Sequence, residues 1–371
     1  MRDYTQKERA WLWLNRAIGA SVGVCEQLIY RNDGLLSLYE AVKQGKPVNY
    51  PEKTAPAHKA ALSKYCQDKA VDTFIEELDR IGAYAVTRDS KDYPDLLREI
   101  YDPPTVLYVK GRLKKELKLP IAVIGSRKCS DYGREMARFF GKELAKNGAC
   151  VVSGLAVGCD SVAAMGALSV KDSEFPTLAV LGSGINVVYP SCNRKLYDEI
   201  AERGAVISEY LPDRGPTRES FPQRNRIISG ISKGVLVIEA AAKSGTSITV
   251  DFAHEQGRDV FAVPGRITDL LSVGTNGLIK SGSAKAVFGV DDVLYEYGLF
   301  LENPSDPVRG YTPPGLTPKQ KKLYDLLVLG EKRADELCDL TGMSVSEINI
   351  YLTEMGLSGI IRQLANGAYS V

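Results

Sequence analysis

Residues 120–158 read PIAVIGSRKCSDYGREMARFFGKELAKNGACVVSGLAVG and carry the clearest structural signal in the chain. Two short apolar runs, Ile121–Ile124 and Cys150–Val152, flank a longer segment with helical periodicity, Tyr132–Asn147. A buried strand, a helix and a second buried strand are typical of parallel sheets, because the helix carries the chain back to the edge where the first strand began. The stretch therefore predicts a parallel sheet with helices packed against it.

The same alternation continues on both sides of this stretch. Further apolar runs occupy Val106–Val109, Leu178–Leu181, Ala205–Ile207, Val235–Ile238 and Val260–Val263. Runs that are apolar throughout and separated by helical segments indicate strands covered on both faces. We therefore predict an α/β fold, with an extended Rossmann-like doubly wound parallel sheet formed by residues 89–300.

The segments outside this core have different patterns. Residues 1–88 predict short helices broken at Gly19 and Gly34, as in a small helical domain of the SAM or helix-hairpin-helix type. A linker rich in proline and polar residues occupies 301–314. Residues 315–371 predict three helices and then two strands around Asn366-Gly367, the favoured hairpin turn. This is the order of a winged helix, so we predict three domains.

Composition limits the classes of function. The 47 basic and 46 acidic residues nearly cancel, so nucleic-acid binding would need a local basic patch. The seven cysteines form no C-x-x-C pair, which favours reduced thiols and a cytoplasmic location. The two histidines offer little material for a metal site or a catalytic triad, and no apolar stretch is long enough to cross a membrane. We expect no metal, cofactor or catalytic residue.

The loops that follow the predicted strands contain the candidate binding residues, because ligands of open parallel sheets collect beyond the carboxyl ends of the strands. Gly125-Ser126-Arg127 follows the strand Ile121–Ile124. Glycine lets the backbone approach an anion, the serine hydroxyl can donate a hydrogen bond, and the guanidinium can fork onto phosphate oxygens. Ser153-Gly154 and Gly182 follow the next two strands. We predict that these loops form a phosphate cradle.

Later loops extend the same rim. Its basic and polar residues are Lys195, Arg224, Asn225, Arg226, Lys243, Ser244, Gly245 and Thr246. Tyr189 and Phe221 are either base-stacking residues or buried aromatics. We interpret Asp160, Glu209 and Glu239 as partners of loops and arginines, because their spacing matches no metal site.

Two nucleotide-binding classes fit poorly. Neither Gly45-Lys46 nor Gly141-Lys142 is followed by Ser or Thr, which excludes the P-loop of ATPases. The segment Gly182-x-Gly184-x-x-Val187 lacks the third glycine of a dinucleotide-binding loop. An anionic ligand other than these nucleotides is therefore favoured.

At this point the sequence resembles the DNA-processing protein A family (DprA, also called Smf). The matching stretches run in family order from about residue 93 to 276. They include Tyr93-Pro94-x-Leu96, Gly125-Ser126-Arg127, Ser153-Gly154-x-Ala156-x-Gly158-x-Asp160, Tyr189-Pro190-x-x-Asn193, Phe221-Pro222-x-Arg224-Asn225-Arg226 and Ser244-Gly245-Thr246.

The resemblance implies a dimeric protein without catalytic activity that binds single-stranded DNA. Such a protein protects incoming DNA and loads the recombinase RecA onto it during natural transformation or homologous recombination. The resemblance also implies that Arg127 contacts phosphate and that Arg194 or Lys195 lines the pocket. Arg224, Arg226 and Ser244–Thr246 would complete the site. One position departs from the family pattern, since Ala164 stands where the family often has His.

Two further interpretations remain open. The third helix of the predicted winged helix, Ser344–Met355, contains no Lys or Arg, which makes it a poor reader of the DNA major groove and favours a protein contact. The core also resembles nucleotide phosphoribohydrolases, which would make the protein an enzyme. Their loop carries an acid where this chain has Thr249, so the acid–base step lacks an obvious agent.

Overall fold

The computed structural model describes residues 2–52, 54–242, 244–299, 313, 315–364 and 366–371. These residues divide into two compact units, one within 1–293 and one within 294–371. Apart from Pro313, the predicted linker 301–314 lies outside the described residues. The predicted boundaries at 88, 300 and 315 stay a prediction.

The first unit begins with helices that correspond to the predicted helical segment. They are α1 (Gln6–Ile18), α2 (Val22–Tyr30), α3 (Leu35–Lys43), α4 (Pro56–Tyr65) and α5 (Asp68–Arg80). A capping box starts α1, in which the Thr5 hydroxyl accepts from the Glu8 N–H and the Glu8 carboxylate accepts from the Thr5 N–H. Gly19, with φ of 77°, ends it.

A mixed nine-stranded sheet follows, with the order β1-β2-β6-β5-β4-β3-β7-β8-β9. Its strands are β1 (Tyr84–Thr87), β2 (Val106–Gly111), β3 (Pro120–Ile124), β4 (Cys150–Ser153), β5 (Thr177–Val180), β6 (Ala205–Ser208), β7 (Gly234–Val237), β8 (Asp259–Ala262) and β9 (Lys285–Ala286). Each neighbouring pair among β3 to β9 is parallel, as the sequence predicts.

Strand β2 runs in the opposite direction to its neighbours, which makes the mostly parallel sheet a mixed one. It pairs in antiparallel fashion with both β1 and β6. An apolar run indicates a buried strand but contains no information about its direction, which depends on how the chain returns to the sheet. The predicted Rossmann-like core is confirmed.

Helices cover both faces of the sheet. The helices that alternate with the strands or follow them are α6 (Asp95–Arg98), α7 (Asp131–Lys146), α8 (Cys159–Leu168), α9 (Arg194–Arg203), α10 (Ser220–Gly230), α11 (Thr246–Glu255), α12 (Val273–Lys280) and α13 (Val290–Glu296). Successive side chains of β2 point to opposite faces of the sheet and so belong to two different cores. Tyr108 packs in one core with Trp13 of α1, whereas Leu107 packs in the other with Ile227 of α10.

A buried hydrogen bond ties α1 to β2 and provides a test of this packing. The Tyr108 hydroxyl donates to Asn15 Oδ1 at 2.7 Å, and both residues are buried. We expect Tyr108→Phe to lower the free energy of unfolding by about 1–2 kcal/mol in urea titrations, because the Asn15 oxygen loses its donor. Tyr101→Phe is the matched control, since Tyr101 is fully exposed. Equal stability of the two variants would contradict this role.

The second unit has the predicted winged-helix order. Its helices are α14 (Pro318–Val328), α15 (Ala334–Thr341) and α16 (Val345–Leu357), followed by the antiparallel pair β10 (Arg362–Gln363) and β11 (Tyr369–Ser370). Leu323, Leu337 and Leu352 belong to its core. In neither unit does the described chain contain a helix long and apolar enough to span a bilayer.

Candidate nucleic-acid interface

A cleft of about 600 Å³ lies beyond the carboxyl ends of the parallel strands in the first unit. Loops after β3, β4 and β7 meet there with the first turns of α10 and α11. Residues that line the cleft include Gly125, Ser126, Arg127, Asp160, Tyr189, Arg218, Phe221, Arg224, Asn225, Ser244, Gly245, Thr246 and Thr249. Much of the predicted rim is therefore assembled in one place.

The β3–α7 loop, residues 125–130, forms one wall. Its backbone is held by the Ser126 N–H, which donates to the Glu239 carbonyl at 2.9 Å. Gly125 is required at its position, because a Cβ there would lie 2.6 Å from Cys159 Sγ. Arg127 is exposed, with its guanidinium carbon 5.4 Å from the centre of the Phe221 ring. The loop thus presents a cation over an aromatic face.

Two aromatic rings form the adjacent surface. The centroids of Tyr189 and Phe221 are 5.5 Å apart, with the ring planes inclined by 40°. Tyr189 is 46% exposed and Phe221 is partly exposed. Neither ring is buried in the core, so both can reach a ligand in the cleft.

Another part of the cleft lining is the start of α11. Gly245 occupies the N-cap position, and no side chain caps the helix. The first N–H groups of a helix have no partner within it, and they favour anions. Ser244 and Thr246 lie beside these groups. Lys243, predicted for the same loop, lies outside the described residues.

Arg224 is a buried residue of the cleft lining and holds two strand ends together. Its Nη1 donates to the Gly154 carbonyl at 2.7 Å and also to the Val180 carbonyl. The Gly154 N–H in turn donates to Asp160 Oδ2 at 2.9 Å. Burial lowers the pKa of Arg224 to about 10 and raises the pKa of Asp160, with each group partly offsetting the shift of the other. The arrangement positions the loops that form the cleft.

Not every predicted residue lines the cleft. Arg226 lies elsewhere, in ion pairs with Glu209 and, at 3.1 Å, with Asp102. Arg194 and Lys195 are exposed at the start of α9 but are absent from the lining. Ser153 and Gly182 are buried, and a Cβ on Gly182 would lie 2.7 Å from the Phe221 ring. Their roles in DNA binding stay predictions.

The carboxylates have the partners expected from the sequence. Asp160 accepts from Gly154, Glu209 pairs with Arg226, and Glu239 accepts from the Ser130 N–H at 2.9 Å. Among the described residues, no group of three or more His, Cys, Asp or Glu side chains is arranged to hold a metal ion.

Sequence reasoning missed Arg218. This exposed residue lines the cleft just before α10. Its position in Pro216-Thr217-Arg218-Glu219, immediately upstream of the basic helix, is a signal that could have found it. The described ion pairs include neither Arg218 nor Arg127.

The Glu209–Arg226 pair makes stability depend on pH. Burial raises the pKa of Glu209 to about 7, with Arg226 opposing the shift and Asp102 adding to it. The unfolded chain releases this proton near pH 4.3, so between about pH 4.5 and 7 the native state holds a proton that the unfolded state has lost. The contribution of Glu209 to the free energy of unfolding is therefore fully present below about pH 4.5 and is lost as the pH rises towards 7.

We expect the unfolding free energy of the parent protein, relative to Glu209→Gln, to fall as the pH rises from about 5 to 7.5. Urea titrations of both proteins across this range measure the difference. A difference that does not change with pH would contradict the raised pKa.

The first unit is a Rossmann-like core with a cationic, aromatic cleft beyond its strands, and the chain continues into a winged helix. Family comparison makes the assignment specific. The chain belongs to the DNA recombination-mediator protein A family, whose profile matches residues 84–298, and a DprA winged helix domain profile matches residues 309–367. The resemblance found in the sequence is thereby confirmed.

Curated relatives cover most of the chain. Protein Smf from Synechocystis is 31% identical over 377 residues, covering 92% of this chain and 94% of that protein. Protein Smf from Escherichia coli is 36% identical over 305 residues, covering 81% and 80%. The DNA processing protein DprA from Streptococcus pneumoniae is 44% identical over 223 residues, covering 60% and 76%.

Two solved structures are similar. The X-ray structure of DprA from Streptococcus pneumoniae superposes with a TM-score of 0.65 and 34% identity, covering 80% of this chain and 99% of that one. DNA processing protein A from Helicobacter pylori, whose structure was described for its single-stranded DNA binding mode, gives a TM-score of 0.52 and 30% identity over 58% of this chain and 95% of that one.

Proposed function

We propose that this protein binds single-stranded DNA and holds part of its backbone in the cleft. The observation that carries the proposal is the placement of Arg127, Arg218 and the uncapped start of α11 around two accessible aromatic rings. Cations and the N–H groups at the start of a helix suit phosphates, whereas aromatic faces suit unpaired bases. The single-stranded DNA binding described for the Helicobacter pylori relative supports the proposal.

The ring pair accounts for a preference for single strands. Stacking on Tyr189 or Phe221 requires an exposed base face, which a duplex keeps within its own stack. Every base has such a face, so this contact is tolerant of sequence. The expected ligand is therefore single-stranded DNA of mixed sequence.

We further propose that the protein acts as a homodimer. A cleft of about 600 Å³ holds only a small part of a strand, and a second copy would lengthen the groove. Ile267, Leu270 and Phe288, which are 93%, 80% and 70% exposed, offer apolar surface for association.

Loading of RecA during transformation or recombination, and a cytoplasmic location, are further parts of the proposal. Membership of the family supports both, and the free cysteines are consistent with a reducing compartment. For the winged helix we propose a protein contact, because α16 exposes Val345, Ile350 and Leu357 and carries no cation. A loss of DNA affinity on removal of residues 313–371 would contradict that contact as its main role.

Binding is favoured over hydrolysis by the chemistry of the cleft. Thr249, at the position of the acid in phosphoribohydrolases, lines the cleft, and Asp160 is the only carboxylate among the described lining residues. Asp160 is buried and accepts from the Gly154 N–H, which leaves it poorly placed for proton transfer to a ligand. Release of ribose 5-phosphate from a nucleoside monophosphate would contradict this part of the proposal.

The direct test is fluorescence anisotropy of a labelled dT oligonucleotide of about 30 nucleotides, titrated with the full-length protein at two salt concentrations. We expect the affinity to fall as the salt concentration rises. Unlabelled single-stranded DNA should displace the labelled oligonucleotide better than duplex DNA of equal length. Absence of binding at low salt would overturn the proposed function.

A further inference from the structure

A second pocket, of about 760 Å³, lies against a different face of α10 from the cleft. Phe221 and Asn225 of this helix line the cleft, whereas Gln223 and Arg226 line the second pocket. Further lining comes from the loop between α1 and α2 and from residues 101–102, ahead of β2. The helical segment and the Rossmann-like core therefore enclose a site of their own.

Two features of the second pocket offer hydrogen-bond donors to a ligand. Arg226 is only 5% exposed, and its Nη1 is buried without a hydrogen-bond partner among the described residues. A buried donor without an acceptor costs free energy, so a ligand that brings an acceptor is favoured. In addition, no side chain caps α2 at Ser21, and the first N–H groups of a helix have no partner within it.

An aromatic ring lies at the same pocket. Tyr101 lines it and is fully exposed to solvent. A tyrosine ring that is not packed in the core is available to a flat ligand, and such rings serve as stacking platforms for unpaired bases. The pocket thus combines an aromatic face with free donors.

The charges around the pocket nearly cancel. Its charged lining residues are Arg214, Arg226, Glu26, Asp102 and Glu219. Asp102 pairs with Arg226 at 3.1 Å, and Glu26 pairs at 2.8 Å with Arg88, which lies outside the lining. The two remaining charges are opposite in sign. A neutral group with donors and acceptors therefore fits this pocket better than a second phosphate does.

We propose that the second pocket binds a base of the single strand whose backbone lies in the cleft, and that it favours bases with an exocyclic amino group. The proposal rests on the proposed function, because the base arrives as part of that strand. The two sites adjoin at the start of α10, where Arg218 lines the cleft and Glu219 lines the pocket. A helix is about 10–12 Å across, so a strand that passes this turn needs only a few nucleotides.

The preference for an amino group follows from the acceptors in the pocket. Asp102 and Glu219 have oxygens that can accept from an amino group, and the Arg226 donor suits a base carbonyl or ring nitrogen. Cytosine, adenine and guanine carry an exocyclic amino group, whereas thymine carries a methyl group and carbonyl oxygens. Stacking on Tyr101 adds a contact that any base can make.

The experiment titrates the full-length protein with labelled dT and dC oligonucleotides of about 30 nucleotides at neutral pH. We expect the parent to bind dC about tenfold more tightly than dT, the discrimination given by one well-placed pair of hydrogen bonds. Glu219→Ala should bring the ratio of the two affinities closer to one, because an acceptor for the amino group is lost.

Three tyrosine variants test the stacking contact. Tyr101→Ala should bind dC about tenfold more weakly than the parent, the loss of one stacked base. Tyr101→Phe keeps the ring and should keep the affinity. Tyr30→Ala is the matched control and should bind like the parent, because Tyr30 is 87% exposed and lines neither the cleft nor the second pocket.

The outcomes separate a failure of the pocket from a failure of the proposed function. Equal affinity of the parent for dC and dT, or Tyr101→Ala that binds like Tyr30→Ala, would overturn the role of the pocket and leave the proposed function standing. Arg127→Ala/Arg218→Ala should weaken both oligonucleotides alike, since these cations belong to the cleft. If the parent binds neither oligonucleotide at low salt, the proposed function and the role of the pocket both fail.

Discussion

Replacement of Arg224 by methionine is expected to lower the free energy of unfolding by about 3–5 kcal/mol, the cost of removing one partner from a buried charged cluster. The guanidinium satisfies the Gly154 and Val180 carbonyls and offsets the charge of the buried Asp160. Methionine matches the length of the side chain but donates no hydrogen bond, so two carbonyls and a carboxylate lose their compensation.

Urea titration monitored by circular dichroism measures this effect. Arg218→Met is the matched control, because Arg218 is an exposed cation of the same region without a described ion pair. We expect this control to change stability by less than about 0.5 kcal/mol. If Arg224→Met were as stable as the control, the guanidinium would not be the group that holds these strand ends.

The double variant Arg127→Ala/Arg218→Ala is expected to bind the dT oligonucleotide about 100-fold more weakly at low salt, roughly tenfold for each lost contact with phosphate. Both arginines are exposed on the cleft. The slope of log affinity against log salt should also fall by about 2, since two fewer phosphates are neutralised. Stability should remain close to that of the parent.

Arg138→Ala controls for net charge, because Arg138 is exposed on α7 outside the cleft lining. Its loss should leave both affinity and slope near the parent values. An equal drop in affinity for this control and for the double variant would mean that DNA binding depends on the net charge of the protein rather than on the cleft.

The positions of most strands follow from the sequence alone, because strands covered on both faces must be apolar along their whole length. The helix between Ile124 and Cys150 follows from periodicity in the same way. The rim loops could also be predicted, since the carboxyl ends of parallel strands lie on one edge. The direction of β2 could not, because its apolar pattern fits either direction equally well.

The two arginines of the Arg224-Asn225-Arg226 motif illustrate the limit of sequence reasoning for the site. Residues two apart on an α-helix differ by about 200° around its axis, so they cannot both face one ligand. Their motif predicts two equivalent cations. In the folded chain Arg224 supports the cleft, while Arg226 pairs with Glu209 and Asp102.

Local pattern thus contains the fold class, the family and the rim of the binding cleft, because these depend on apolar runs, turn residues and motifs that are contiguous in the chain. Two features arise only on folding: the direction of β2 and the use of Arg218 in the cleft. Each depends on which distant segments meet. Packing of the whole core determines these long-range contacts. The local pattern of apolar and polar residues along the chain does not encode them.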